Sequence, residues 1–193
     1  MIFLQIPDQI KGFSRTEYLS VFLGFLYAAV ATEFLANWAK FFRHRLNVIN
    51  NLEQVLWSFL LFSFLLINWF GAWTRMEFVA NSFKDFVFTL VPVMLYYFMV
   101  VLVFPEEDNA TNQKSLFEKN MPFILLFLCG YTFLQLGYDI AVAKQSLFTV
   151  SNLLRSAVVV AGIVAFIKNT AVARWALFAA GTVVMVKAAI ELQ

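Results

Sequence analysis

Charge is what this chain has least of. Asp, Glu, Lys and Arg make up 13% of its 193 residues, against 62% hydrophobic residues. A water-soluble domain carries roughly 25% charged and 45–50% apolar residues. Too little polar surface is left to coat a globule in water, so the solvent expected around the protein is lipid. The net charge of +2 gives no reason to expect a nucleic-acid partner. A single cysteine, Cys129, excludes an intrachain disulfide, and a single histidine, His44, excludes a histidine-based metal cluster within one chain. No glycine-framed serine, phosphate-cradling glycine loop or metal-ligand spacing occurs. The expectation is therefore a non-enzymatic protein, with no catalytic, cofactor-binding or metal-binding residue assigned.

What the chain has in abundance is long apolar runs. A helix needs about 20 mostly apolar residues to cross a hydrocarbon core about 30 Å thick. Six windows qualify, at about 18–39, 54–73, 82–104, 117–138, 147–167 and 171–190. In lipid the backbone must satisfy its own hydrogen bonds, and none of these windows alternates as a barrel strand does, so helices are expected. The fold class expected is all-α: one integral membrane bundle of six transmembrane helices. "SRTE", Ser14 to Glu17, offers a capping box at the start of the first. Before it, "MIFLQIPDQIKGFSRTEY" lacks a basic segment leading into a long apolar one. It reads as a short interfacial segment broken at Pro7, not as a cleavable signal peptide.

Trp38, Trp57, Trp69, Trp73 and Trp175 fall near expected span ends, where amphipathic rings favour the headgroup level. Pro92 is expected to kink the third helix. The stretch "FPEEDNATNQKS", 104–115, is the one long loop-like segment and is acidic. Bases divide almost evenly between the two sides, and only the dense "KFFRHR" favours a cytoplasmic first loop. Aligning "FLYAAVATEFLANWAK" with "FLCGYTFLQLGYDIAVAK" sets Glu33 opposite Gln135 and Asn37 opposite Asp139. The two halves otherwise differ in composition, so the match reads as coincidence and not as an inverted repeat.

Glu33 is the first candidate functional residue. A span begun near Tyr18 ends near Asn37, which places Glu33 about four residues, or roughly 6 Å, inside it. Glu33, Asn37, Lys40 and His44 recur at helical spacing and form a polar stripe leading into the basic loop. One reading is a proton- or cation-binding carboxylate at the mouth of an ion pathway. The blander reading is an interhelical ion pair with Arg174, which lies at matching depth in the sixth helix. Arg155 is the second intramembrane charge, about eight residues into the fifth helix. It is expected to pair with Asp139, at the end of the fourth. The alternative joins Arg155 to Asn152 and Ser156 in an anion or lipid-headgroup contact. Lys187, late in the sixth helix, is expected to snorkel to the interface.

The last two helices carry small residues: Ala157, Ala161, Gly162 and Ala165, then Ala173, Ala176, Ala179, Ala180 and Gly181. Small residues let membrane helices approach closely, either within the hairpin or against a second copy of the chain. Glu33 late in the first span, then "RHR", Trp57 and "NWFGAW" at the end of the second, resemble a group of small uncharacterised bacterial membrane proteins over residues 17 to 105. That resemblance implies a bacterial inner-membrane protein and no particular activity. Function is expected to be that of a homo-oligomeric pore or channel-like component within the lipid bilayer. The alternatives are an anchor or sensor subunit whose basic and acidic loops dock a cytosolic protein partner, and a small-solute or ion transporter.

Overall fold

The structure is a computed structural model that describes residues 14–43, 51–73, 76, 82–105, 110–141, 144, 146–168 and 170–191. Six long helices organise them. These are α1 (Arg15–Arg43), α2 (Leu52–Trp73), α3 (Phe83–Val103), α4 (Ala110–Ala141), α5 (Val150–Lys168) and α6 (Ala171–Glu191). All six are long and apolar enough to cross a membrane, and the chain is a multi-pass integral membrane protein. Its outer surface fits lipid: Phe25, Phe83, Phe133, Val160, Ile167 and Val172 are all exposed. The interfacial segment expected before Ser14 lies outside the described residues.

Helix ends follow local hydrogen-bond chemistry. The capping box forms: the Ser14 N–H donates to Glu17 Oε2 at 2.6 Å, and the Glu17 N–H donates to Ser14 Oγ at 3.2 Å. Apolar periodicity starts the fifth span near 147, but α5 begins at Val150. The reason is Thr149, whose Oγ1 accepts the Asn152 N–H at 3.3 Å as an N-cap. Thr170 does the same for α6, accepting the Ala173 N–H at 3.3 Å. The acidic loop is shorter than 104–115, because α4 already starts at Ala110. The stretch "ATNQKS" holds no glycine or proline to stop a helix growing back from the span. Residues 106–109, with the loop's acids, lie outside the described residues.

The helices do not form a simple ring. Following contacts from α1 to α3, α4, α5 and α6 traces an arc, and α2 lies in its hollow against α1, α3 and α6. This explains why α2 is the most buried helix, with Trp57, Ser58, Leu61 and Leu65 all nearly inaccessible. Close approach on the arc uses the small residues. A Cβ on Gly162 of α5 would fall 2.1 Å from Cys129 Sγ of α4, and one on Gly181 of α6 would meet Leu60 of α2 at 3.4 Å. Gly162 and Ala165 thus serve the bundle interior, whereas Ala157, Ala176 and Ala179 face outward.

The two ends of the bundle differ. The proximal end gathers the starts of α1, α3 and α5 and the ends of α2, α4 and α6; the distal end gathers the rest. Most of the fully buried apolar side chains lie in the distal half or near the middle, among them Phe34, Leu61, Met99, Phe117, Met121 and Leu125. Trp57 belongs to this set and is not an interface anchor. It is inaccessible and sits edge-on to Phe178 at 5.6 Å. Trp38 is half-buried, donating from Nε1 to Ser58 Oγ at 2.8 Å, while Trp69, Trp73 and Trp175 remain exposed. The distal end of α3 is tied on both sides, with Gln54 Nε2 donating to the Val103 carbonyl at 2.6 Å and Asn120 Nδ2 to that of Leu102 at 3.1 Å. These carbonyls have no partner within their own helix, so the amides complete its end.

Candidate functional site

The proximal half combines open space with the polar groups that line it. A cavity of about 360 Å³ lies between α2, α4, α5 and α6. Its lining runs from Ser151 and Glu191 at the helix ends down to Asn68, Thr132 and Tyr131. Tyr131 stands ten residues from the end of α4, or roughly 15 Å, so the cavity reaches about half-way into a hydrocarbon core.

The floor is a buried polar cluster centred on Asn68 of α2. Asn68 Nδ2 donates to the Tyr27 hydroxyl of α1 at 2.6 Å. Its Oδ1 accepts from Gln135 Nε2 at 3.1 Å and from the Tyr131 hydroxyl at 3.4 Å, both on α4. The Tyr131 ring lies 5.0 Å from that of Tyr96 on α3. One asparagine therefore links three helices in a region where an unmet amide would be costly. Behind it lies a second space of about 20 Å³, lined by Asn68, Phe88, Thr89, Pro92, Gln135 and Tyr138. That is room for about one water molecule.

The rim carries two ion pairs. Arg155 Nη1 on α5 bonds Asp139 Oδ2 on α4, and the same nitrogen lies 3.4 Å from Asn152 Oδ1. The helix start at Val150 leaves Arg155 five residues inside α5, nearer its end than apolar periodicity indicates. Lys187 Nζ on α6 bonds Glu191 Oε1 and donates to Ser151 Oγ at 2.8 Å, and Ser151 in turn donates to Glu191 Oε1 at 2.8 Å. Lys187 thus reaches towards the end of α6, where Glu191, one turn away, holds it. Two acids and two bases gather at this end of the bundle, each with a partner of opposite sign, and three of them, Asp139, Arg155 and Glu191, line the cavity itself.

The structure redistributes the other sequence candidates. Arg174 does not reach Glu33. It grips Glu53 of α2 through two bonds, Nε to Oε1 at 2.7 Å and Nη2 to Oε2 at 3.1 Å, at the distal end. The cause is topological: α6 packs on α2 and α5, while α1 packs on α2 and α3. Glu33 accepts from its own neighbour, with Asn37 Nδ2 at 2.9 Å from both its carbonyl oxygen and Oε1. The buried stripe of α1 is Leu23, Tyr27, Val30, Phe34 and Phe41. Glu33 lies roughly a quarter turn from its centre at 100° per residue. Lys40 is exposed and His44 lies outside the described residues; the described part of the expected stripe, Glu33, Asn37 and Lys40, borders neither the cavity nor its floor.

Asn152 and Ser156, grouped with Arg155 in the sequence, make their own contacts at the start of α5. Asn152 is inaccessible, its Nδ2 donating to the Ser146 carbonyl at 2.9 Å, and Ser156 Oγ donates to the Asn152 carbonyl at 2.8 Å. Both hydroxyl and amide serve the start of α5. The residues that sequence reasoning passed over are Glu53, Asn68, Tyr131, Ser151 and Glu191. Asn68 carried the clearest signal, a lone amide inside the apolar run "FLLINWF". No family of known proteins, no curated protein and no solved structure matches this chain.

Proposed function

We propose that this multi-pass membrane protein is a non-enzymatic carrier of a small polar solute, which it binds in the proximal cavity between α2, α4, α5 and α6. The observation that carries this reading is the contrast along the bundle axis. At one end, about 360 Å³ of space with charged walls reaches a polar floor. At the other, buried apolar side chains fill the interior beside the Glu53–Arg174 pair. A site reached from one side and closed on the other is what an alternating-access carrier presents in one of its states. Polar groups inside a membrane protein are costly and usually line a solute path or a water-filled cavity. In keeping with the resemblance of its first hairpin, we place it in a bacterial inner membrane.

The pore and partner-docking readings rest on a second copy of the chain or on loops whose residues 44–50 and 106–109 lie outside the described residues. The test is direct. Purified protein in detergent is screened for solutes that raise its unfolding temperature, and those found are followed into proteoliposomes. A stabilising solute that accumulates in a counterflow assay supports the carrier. Ala188→Trp, which fills the cavity from its wall, is expected to abolish both signals. Ion conduction that survives Ala188→Trp, with no solute bound, overturns the reading.

A further inference from the structure

The rim of the cavity has unused valences of both signs. Arg155 makes its two contacts through Nη1, which leaves Nε and Nη2 without a protein partner among the described residues. Asp139 engages Oδ2, leaving Oδ1. Glu191 takes both Lys187 and Ser151 on Oε1, leaving Oε2. Lys187 stands beside the main cavity, in a small recess that shares Ser151, Arg155 and Glu191 with it. Donors suited to an oxyanion and acceptors suited to an ammonium therefore lie around one opening.

The formal charges of Arg155, Lys187, Asp139 and Glu191 cancel. An anion or a cation entering such a site would add an uncompensated charge in a medium where charges are poorly solvated. A molecule carrying both signs meets a complementary partner for each and adds nothing to the balance. Between these groups the lining is apolar, with Phe64 and Ile67 of α2, Val158 of α5, and Val184 and Ala188 of α6. Ligand pockets span roughly 300 to 1,000 Å³, and about 360 Å³ falls at the small end of that range.

From these features, and resting on the solute-binding reading above, we infer that the cavity takes a small zwitterion, with an ammonium and an oxyanion on one compact, partly apolar body. A free solute of amino-acid type and the zwitterionic headgroup of a lipid share that chemistry.

The test uses the full chain in detergent and four probes. Leucine carries both charges and an apolar branch, isocaproate lacks the ammonium, and isoamylamine lacks the carboxylate. Glycerophosphoethanolamine presents the lipid headgroup without its chains. A zwitterion is expected to raise the unfolding temperature where the two single-charge probes do not. Leucine acting alone identifies a free solute, and glycerophosphoethanolamine acting alone identifies a headgroup. Stabilisation by isocaproate or isoamylamine equal to that by the zwitterions overturns the inference and leaves the carrier standing. Silence of both zwitterions also overturns it. The carrier reading falls with it only if the wider solute screen is silent too.

Two rim substitutions sharpen the result, both on half-exposed side chains near the end of α6. Glu191→Gln leaves the site one positive charge in excess and is expected to favour isocaproate over leucine by about fivefold relative to the native chain. That is the upper end of what a partly exposed ion pair contributes. Lys187→Gln is expected to favour isoamylamine by a similar factor. An unchanged order of preference in both variants overturns the inference.

Discussion

The distal and proximal ends of this bundle are built from the same six helices by opposite means. Distally, Phe34, Leu61, Met99, Met121 and Leu125 fill the interior, and the charged pair present, Glu53–Arg174, is held by two hydrogen bonds. Proximally, the interior is open, and charge is arranged around space. In lipid there is no hydrophobic drive to bring apolar helices together, so close contact and hydrogen bonding must hold them. The difference teaches that packing closes the distal half, while the proximal half keeps an open space with a polar lining.

Substitutions can break that contrast, and the largest effect is expected at the distal pair. Arg174→Met strands the Glu53 carboxylate beside a closed interior and should lower stability by about 3 kcal/mol, the lower end of the cost of breaking a buried pair, because Glu53 keeps some exposure. Denaturant unfolding in detergent measures it, and a loss below that of the proximal substitutions would erase the contrast. Next comes distal packing. Leu61→Ala removes a fully buried side chain and should cost about 2–3 kcal/mol, whereas Ile67→Ala on the cavity wall should cost well under half as much. Equal losses would mean that the cavity wall is as tightly packed as the core.

A third prediction concerns the seam between α4 and α5. Gly162→Ala forces a methyl against Cys129 Sγ and should cost about 1–2 kcal/mol. Adding Cys129→Ala should recover most of that loss, because the second change removes the obstructing sulfur. A double variant no more stable than Gly162→Ala would show that the seam is set by something other than this contact. The smallest effect belongs to the proximal rim. Glu191→Gln should shift stability by no more than about 0.5 kcal/mol, since half-exposed pairs contribute little. A loss as large as that of Arg174→Met would show the rim to be structural.

The number and order of the helices were legible because apolar length alone encodes a span. Helix starts were less so: Thr149, and not the apolar pattern, decides where α5 begins. The same limit applies to charge pairing. Depth within the membrane can be counted along a sequence, which is enough to bring Arg155 to Asp139. Azimuth cannot be counted until the helices are arranged. Two acids, Glu33 and Glu53, lie towards the end that Arg174 occupies, and only the position of α2 between α1 and α6 selects Glu53. The cavity floor was hidden for a related reason. Tyr27, Asn68 and the Tyr131–Gln135 turn are far apart in sequence and lie in apolar runs, so their meeting is a property of the assembled bundle.

Pro92 has a mechanical consequence. Lacking an N–H, it leaves the Phe88 carbonyl without its usual donor, and the water-sized space beside it touches the Asn68 floor. At that level α3 is one backbone hydrogen bond short, and its far end is moored to α2 and α4 by Gln54 and Asn120. The helix is thus a fixed post with a pre-cut joint at the depth where the two halves of the protein meet.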